Sequence, residues 1–211
     1  MVGRGVLLEC LDDARVTTVL AVGRAPCGVT HPKLEELQHA DFLNWDAVAA
    51  RFAGADACFY CLGVTSAGTS EADYTRITYD FAVAAASEVA TASPSCVLCF
   101  VSGAGADSSE RSRVMCARVK GRTENAMLRL PFRHVHVFRP SVIQPLRGVR
   151  SRTKLYAVFY AMTGPLLSLL LRIAPAWVTT TVRLGRAMIE VALSGHQSRI
   201  LESRNINAVI V

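Results

Sequence analysis

This sequence of 211 residues does not begin with the pattern of a secretory leader, which is a few basic residues followed by an apolar stretch and a cleavage site. That absence argues against secretion, and we expect a cytoplasmic protein. Charged residues make up only 19% of the chain and hydrophobic residues 51%, which excludes a disordered chain. A chain of this length and composition is expected to form a single domain over residues 1–211 with a substantial core.

Acidic residues are nearly absent from residues 111–154, which carry 12 basic side chains, 1 acidic side chain and a net charge of +11. Residues 1–110 have the opposite balance, with 6 basic and 14 acidic side chains. A field of this size attracts phosphate groups, nucleic acid or an anionic membrane surface. No recognised nucleic-acid motif accompanies the charge, so we expect no nucleic-acid partner and interpret the region as a solvated basic face partly directed at ligand phosphates.

No cysteine pair is separated by the turn that a zinc site needs. Cys58-x-x-Cys61 and Cys96-x-x-Cys99 both lie inside apolar, strand-like runs. Residues three apart on a strand point to opposite faces, so the two thiols of a pair cannot converge on one ion. The His134-x-His136 pair shares a strand face but lacks a third ligand. We therefore predict no metal site and expect reduced, buried cysteines.

Strand-like and helix-like segments alternate along the chain. The first segment is an amphipathic helix that begins almost at Met1. The remaining patterns predict strands at 16–22, near 40–43, and at 57–62, 97–101 and 135–138, with helices at about 45–52, 71–91, 112–128 and 182–193. This alternation predicts βαβ units and a parallel sheet with helices on both faces.

The run from Cys96 to Lys120 has the most site-like pattern. A short apolar strand is broken by Ser102-Gly103-Ala104-Gly105, in which two glycines favour a turn. In the helix that follows, Cys116, Lys120 and Glu124 recur every four residues and share a face. The pattern therefore places a serine at the end of a strand and a lysine on the next helix, both able to face one pocket.

At these residues the chain resembles the short-chain dehydrogenase/reductase superfamily, in the atypical NAD(P)-binding branch that includes epimerase/dehydratase-like proteins and relatives of the Tat-interacting protein. In that superfamily a serine after the fifth strand and a Tyr-x-x-x-Lys helix form the active site. The resemblance implies that Ser102 orients a substrate carbonyl or hydroxyl and that Lys120 binds the nicotinamide ribose. Cys116 stands at the tyrosine position, where it is either a weak acid/base or a packing residue.

The resemblance implies a Rossmann-like, doubly wound parallel sheet and a dinucleotide cofactor. Met1-Val2-Gly3 resembles the last three positions of the family's Gly-x-x-Gly-x-x-Gly turn, with Gly3 as the third glycine. The first strand and the two earlier glycines are missing, so we expect an N-terminally truncated version of the fold. Arg24 follows the second strand of the family and suits a 2′-phosphate, which favours NADP(H) over NAD(H).

The other implied cofactor contacts follow the ends of strands. Asp41 and Phe42 resemble an adenine-contacting pair. Leu62, Gly63 and Val64 lie at the end of the 57–62 strand, and Pro140 and Val142 resemble the segment beside the nicotinamide. A glycine at the edge of a sheet lets the backbone approach a cofactor closely.

Residues 155–171 form a run of seventeen residues without a charge, flanked by basic residues. This length is at the lower limit for crossing a bilayer, and Gly164-Pro165 interrupts it. Three interpretations stay open: a helical lid over the site within residues 150–180, peripheral membrane contact through residues 155–177, and a single span.

We therefore expect an oxidoreductase or epimerase-like protein that transfers hydride between NADP(H) and a carbonyl or hydroxyl substrate. The alternative is a non-catalytic NADP(H)-binding sensor or scaffold protein, which the cysteine at position 116 favours. The substrate itself is not indicated by the sequence.

Overall fold

A computed structural model of the protein describes residues 1–149, 174 and 176–210. In chain order, the described elements are α1 (Val2–Asp12), β1 (Val19–Gly23), β2 (Leu34–Gln38), a 3-10 helix (Asp46–Phe52), β3 (Ala57–Tyr60), α2 (Glu71–Thr75), a π-helical turn (Arg76–Asp80), α3 (Phe81–Ala92), β4 (Val97–Val101), α4 (Met115–Met127), β5 (His134–Arg139), β6 (Val142–Gln144), β7 (Val178–Thr180), α5 (Thr181–Ser194), β8 (Ile200–Glu202) and α6 (Ser203–Ala208).

The chain divides into two compact units. One consists of Met1–Ala40, Pro140–Leu193 and Ser203–Val211, and the other of Asp41–Arg139 and Ser194–Glu202. We call them the terminal unit and the central unit.

The terminal unit contains two short parallel sheets. β1 pairs with β2, and β6 pairs with β7. Helix α1 packs closely against α5, because a Cβ atom at Gly5 would lie 2.6 Å from Thr181 Cβ and one at Gly185 would lie 2.8 Å from Glu9 Cγ. Thr180 Oγ1 accepts a hydrogen bond from Arg183 N at 3.0 Å and thereby caps the first turn of α5.

The central unit is built on a parallel sheet with the order β3-β4-β5-β8. The inner strands β4 and β5 are almost entirely buried, and α3 and α4 contact each other beside the π-helical turn. The most deeply buried apolar side chains of this unit include Leu98, Cys99, Val137, Phe138, Met127 and Ala86. This near-continuous apolar character is typical of strands covered on both faces.

The five strand pairings within the described residues are all parallel, and helices alternate with the strands. This confirms the predicted Rossmann-like α/β fold. β1 forms a ladder with β2, and β3 forms one with β4. The expected strand ahead of Met1 stays a prediction.

The strand predicted near residues 40–43 was wrong, because the structure places β2 at Leu34–Gln38. Its two glutamates are exposed, so the strand lacks the apolar run on which the prediction relied. Residues 41–43 instead form a turn in which Asp41 Oδ1 accepts a hydrogen bond from Leu43 N at 3.0 Å.

Several elements were not predicted. Strands β6, β7 and β8 have only three residues each, which is too short for a period-two pattern to be recognised. The proposed lid or membrane segment falls on residues 150–173, outside the described residues. Within the described part of the chain, no helix combines the length and apolar character needed to cross a membrane.

Candidate functional site

Ser102 directly follows β4, at the carboxyl end of the central sheet. Its backbone N–H donates to Phe138 O at 2.8 Å, which fixes its main chain against β5. The side-chain Oγ is buried and has no hydrogen-bond partner among the described residues. Since a buried hydroxyl without a partner carries a desolvation penalty of about 1–3 kcal/mol, this atom is a natural position for a ligand contact.

The loop after Ser102 is organised around Asp107. The carboxylate accepts hydrogen bonds from the backbone N–H groups of Ser109, Arg111 and Ser112 at 2.7–3.0 Å. A hydrogen bond from the Ser109 hydroxyl to Asp107 Oδ1 at 2.7 Å, followed by these backbone hydrogen bonds, lowers the pKa of Asp107 to about 2. The Asp107 carboxylate therefore holds the loop in one conformation.

This loop is joined directly to helix α4. Asp107 N donates to Ala117 O at 3.0 Å, and a Cβ atom at Gly121 would overlap the backbone carbonyl of Asp107. Asn125 Nδ2 also donates to Ser108 O at 3.0 Å. The structure thus connects the serine-bearing loop with the helix turn that carries Lys120.

Helix α4 presents Cys116 and Lys120, both half-buried. Burial lowers the pKa of the Lys120 amine, while nearby Cys116 and Glu124 act in the opposite direction. Tyr74 of α2 also lies in this environment, because burial and then the neighbouring Cys116 raise its pKa. Cys116 therefore lies close to two titratable side chains, Lys120 and Tyr74.

Glu124, one turn beyond Lys120, is fully buried and paired with Arg139 at the end of β5. Arg139 Nε lies 3.0 Å and 3.1 Å from the two carboxylate oxygens, and Nη2 makes a further contact with Oε2. Arg139 Nη2 also donates to Ser108 Oγ at 2.8 Å. The sequence placed Glu124 on the lysine face of the helix but gave no indication of its partner.

Tyr60 was also missed. It is the last residue of β3, lies opposite Phe100 in the sheet and stacks on that ring at 5.6 Å. Its hydroxyl is buried without a hydrogen-bond partner, and burial, followed by the nearby cysteines 58 and 61, raises its pKa. Because Ser102 lies two residues after Phe100, the side chains of Tyr60 and Ser102 belong to the same face of the sheet. The apolar pattern of the strand hid this polar atom.

Leu62, Gly63 and Val64 follow β3, as predicted. A Cβ atom at Gly63 would meet no protein atom within 4 Å, and Val64 is 42% exposed. The loop therefore borders open space at the carboxyl end of β3.

Asp41 and Phe42 have contacts of their own within the central unit. Besides the turn made by Asp41, the Phe42 ring lies 5.4 Å from that of Trp45 and 5.7 Å from that of Phe81. Trp45 Nε1 donates to Phe42 O at 3.1 Å. These contacts give Phe42 a packing role, and its adenine contact stays a prediction.

The other predicted cofactor residues lie in the terminal unit. Arg24 is exposed directly after β1, and Gly3 is exposed in the first turn of α1. Pro140 is buried, and Val142 opens β6, where its N–H donates to Trp177 O at 3.0 Å. The glycine of α1 that allows a close approach is Gly5, where an added Cβ atom would lie 2.6 Å from Thr181 Cβ.

All seven cysteines are free thiols. In the part of the chain that the structure describes, no group of three or more histidine, cysteine or acidic side chains is arranged to hold a metal ion. Burial raises the pKa of the thiols of Cys58 and Cys10 to about 12, and that of Cys96 to about 11. These thiols remain protonated at neutral pH and behave as packing groups.

The fold is similar to solved structures of NAD-dependent epimerase/dehydratase enzymes. A UDP-N-acetylglucosamine 4-epimerase from Methanobrevibacter ruminantium M1, in complex with UDP-N-acetylmuramic acid, matches with a TM-score of 0.65 and 14% identity over 93% of this chain and 71% of that one. The Bordetella bronchiseptica enzyme WbmF in complex with NAD+ matches with a TM-score of 0.62 and 13% identity over 98% and 73%. A putative NAD-dependent epimerase/dehydratase from Bacillus halodurans matches with a TM-score of 0.61 and 14% identity over 99% and 94%.

No protein-family model and no curated protein sequence matches the chain. The chain covers between 66% and 94% of the lengths of the solved structures described above and others like them. At identities this low, the similarity establishes the fold.

Proposed function

We propose that this protein binds a nicotinamide dinucleotide, with NADP(H) preferred, and transfers hydride between it and a carbonyl or hydroxyl substrate in the manner of an epimerase or oxidoreductase. The observation that carries the proposal is the buried, unpartnered hydroxyl of Ser102 at the carboxyl end of β4. Ligands of open α/β sheets bind at the carboxyl ends of the strands.

The described residues fit such a cofactor in two respects. The open space at Gly63 allows a ligand to approach the backbone after β3. The half-buried Lys120 amine, on the helix joined to the serine loop, supplies a donor for ribose hydroxyls. When bound, the nicotinamide would supply the hydride chemistry.

Each of the chain's own residues has a distinct role in this proposal. Ser102 Oγ donates a hydrogen bond to the substrate oxygen and orients it. Lys120 binds the ribose, and Leu62, Gly63 and Val64 line the cofactor. Arg24 binds the 2′-phosphate, which is the basis for preferring NADP(H). Asp41 and Phe42 are the proposed adenine contacts, and the family resemblance implies Gly3, Pro140 and Val142 as further cofactor-contacting residues.

The substrate class is guided by the similar enzymes. One was solved with UDP-N-acetylmuramic acid, and WbmF was also solved with NAD+ and UDP. Nucleotide sugars are therefore the first compounds to test, followed by simple carbonyl compounds.

Ser102→Ala tests the proposal. Because the hydroxyl has no partner in the folded protein, its removal should leave the free energy of unfolding unchanged or slightly higher. Substrate-dependent consumption of NADPH should fall by about tenfold or more, as expected for the loss of one hydrogen bond of about 1.5 kcal/mol or more to the reacting group. Unchanged turnover in this variant would exclude Ser102 from the reaction.

A second candidate function is a non-catalytic NADP(H)-binding sensor or scaffold. Cys116, which supplies a thiol where the family has a phenol, favours it. Binding of NADPH without turnover of any substrate in the panel would support this candidate. A gain of reductase activity in Cys116→Tyr would support it further, since only the phenol would then have been lacking.

A further inference from the structure

Glu124 is a carboxylate that lies entirely within the central unit. Its side chain has no exposed surface, and the side chain of Arg139 is only 13% exposed. An isolated buried carboxylate is strongly unfavourable, so the charge of Glu124 depends on its partner. Arg139 meets that requirement with its forked guanidinium, which contacts both carboxylate oxygens.

Lys120 is the other cation within reach of Glu124. Residues four apart on a helix have neighbouring side chains, so a Lys120–Glu124 ion pair would be expected on the helix face alone. Among the described residues, however, no hydrogen bond or ion pair joins the Lys120 amine to Glu124. Glu124 affects Lys120 only as a nearby charge, together with Cys116.

We propose that Arg139 is a positioning residue for Lys120: by holding the Glu124 carboxylate, it prevents an ion pair along α4 and leaves the lysine amine available to a ligand. The geometry supports this directly, since the three Arg139 contacts occupy the carboxylate. Removing Arg139 leaves a buried carboxylate near Lys120, and the lysine side chain should then turn toward it.

The environment of the amine makes the proposal measurable. The titratable groups that act on Lys120 are Cys116 and Glu124, with Tyr74 of α2 beside Cys116 and Arg139 of β5 on Glu124. Burial already disfavours the charged amine. An ion pair with Glu124 would instead favour the charged amine and raise the pKa of Lys120, so the titration of Lys120 reports whether the pair has formed.

The use of the amine by a nicotinamide dinucleotide rests on the proposed function, whereas the control of Lys120 by Arg139 does not. The chain has three lysines, Lys33, Lys120 and Lys154, so reductive 13C-methylation of the whole protein gives few NMR signals. The Lys120 signal is assigned by its loss in Lys120→Arg. The chemical shift of the Lys120 signal is then measured against pH to obtain its titration midpoint, and the Lys33 signal serves as the internal control.

We expect opposite shifts in two variants. In Arg139→Gln the Lys120 midpoint should rise, because the released carboxylate pairs with the amine. In Glu124→Gln it should fall, because the carboxylate that acts on Lys120 has lost its charge. A purely structural role would not produce shifts of opposite sign, while the Lys33 midpoint should stay unchanged in both.

If Arg139→Gln does not fold, Arg139→Lys keeps the charge but loses the fork, and the Lys120 midpoint should rise by a smaller amount. An unchanged Lys120 midpoint in the folded Arg139 variant, or shifts of the same sign in both variants, would overturn the inference. Calorimetric titration of the wild-type protein with NADPH is measured separately. Absence of binding there would defeat the proposed function while leaving the Arg139 result intact.

Discussion

Gly121→Ala is the most direct test of how the serine loop is held against α4. The added Cβ would overlap the Asp107 carbonyl and lie 3.1 Å from Ser108 N, so the loop backbone has to move. Both neighbours are backbone atoms, which cannot be displaced by a simple change of rotamer.

The expected magnitude combines three effects. Overpacking against backbone costs about 1–3 kcal/mol. Displacement of the loop also weakens the Asp107 N to Ala117 O hydrogen bond, which contributes about 1 kcal/mol. Alanine in a helix interior offsets up to about 1 kcal/mol of this loss relative to glycine. We therefore expect the free energy of unfolding to fall by about 1–3 kcal/mol.

Urea denaturation of the wild type, Gly121→Ala and Gly63→Ala measures this effect. Gly63→Ala is the matched control, because its Cβ meets no protein atom within 4 Å and should change the free energy of unfolding by no more than about 0.5–1 kcal/mol. Equal stability of the two variants would refute the close contact between the loop and the helix.

Three further predictions concern both units. Glu9 of α1 is buried and paired with Arg147 and Arg186, so Glu9→Gln should lower the free energy of unfolding by about 1.5–3 kcal/mol. The Asp12 side chain is 58% exposed, so Asp12→Asn should change the free energy of unfolding by less than about 1 kcal/mol. Equal effects of the two variants on urea unfolding would contradict this prediction. Burial lowers the pKa of His136, whose Nε2 is buried without a hydrogen-bond partner among the described residues. The free energy of unfolding of the wild type should therefore fall as the pH decreases below the ordinary histidine pKa of about 6.5, and it should fall less steeply in His136→Leu. Identical pH profiles for the two proteins would rule out this titration. Arg24→Asp should weaken NADPH binding by about tenfold or more, which is the loss expected for one charge-assisted hydrogen bond, and should leave NADH binding unaffected. Equal losses of affinity for both nucleotides in calorimetry would remove the case for a 2′-phosphate contact.

The sequence predicted the strand, turn and helix around Ser102 well, because each has a strong local signal. The apolar run of β4, the glycine pair of the turn and the four-residue spacing on α4 all agree with the structure. The parallel pairing of the strands also followed from their alternation with helices.

What the sequence did not predict depends on contacts between distant residues. The partner of Glu124 is fifteen residues away on another element, and Gly121 is needed because of a loop whose path no local pattern reveals. The strand β2 was missed because its exposed glutamates obscure the apolar pattern. Tyr60 was taken as one residue of an apolar strand, whereas its unpartnered hydroxyl becomes visible only in three dimensions.

The central claim is that a nicotinamide dinucleotide binds at the carboxyl edge of the central sheet, beside Gly63. Calorimetric titration of NADPH into the wild type and Gly63→Leu tests it most directly, because a Cβ atom at residue 63 meets no described protein atom within 4 Å and a larger side chain there would obstruct a cofactor lying against the backbone. We predict binding to the wild type and loss of binding to a Gly63→Leu variant of unchanged thermal stability. Equal binding by the two proteins, or no binding of NADPH or NADH by the wild type, would contradict the claim.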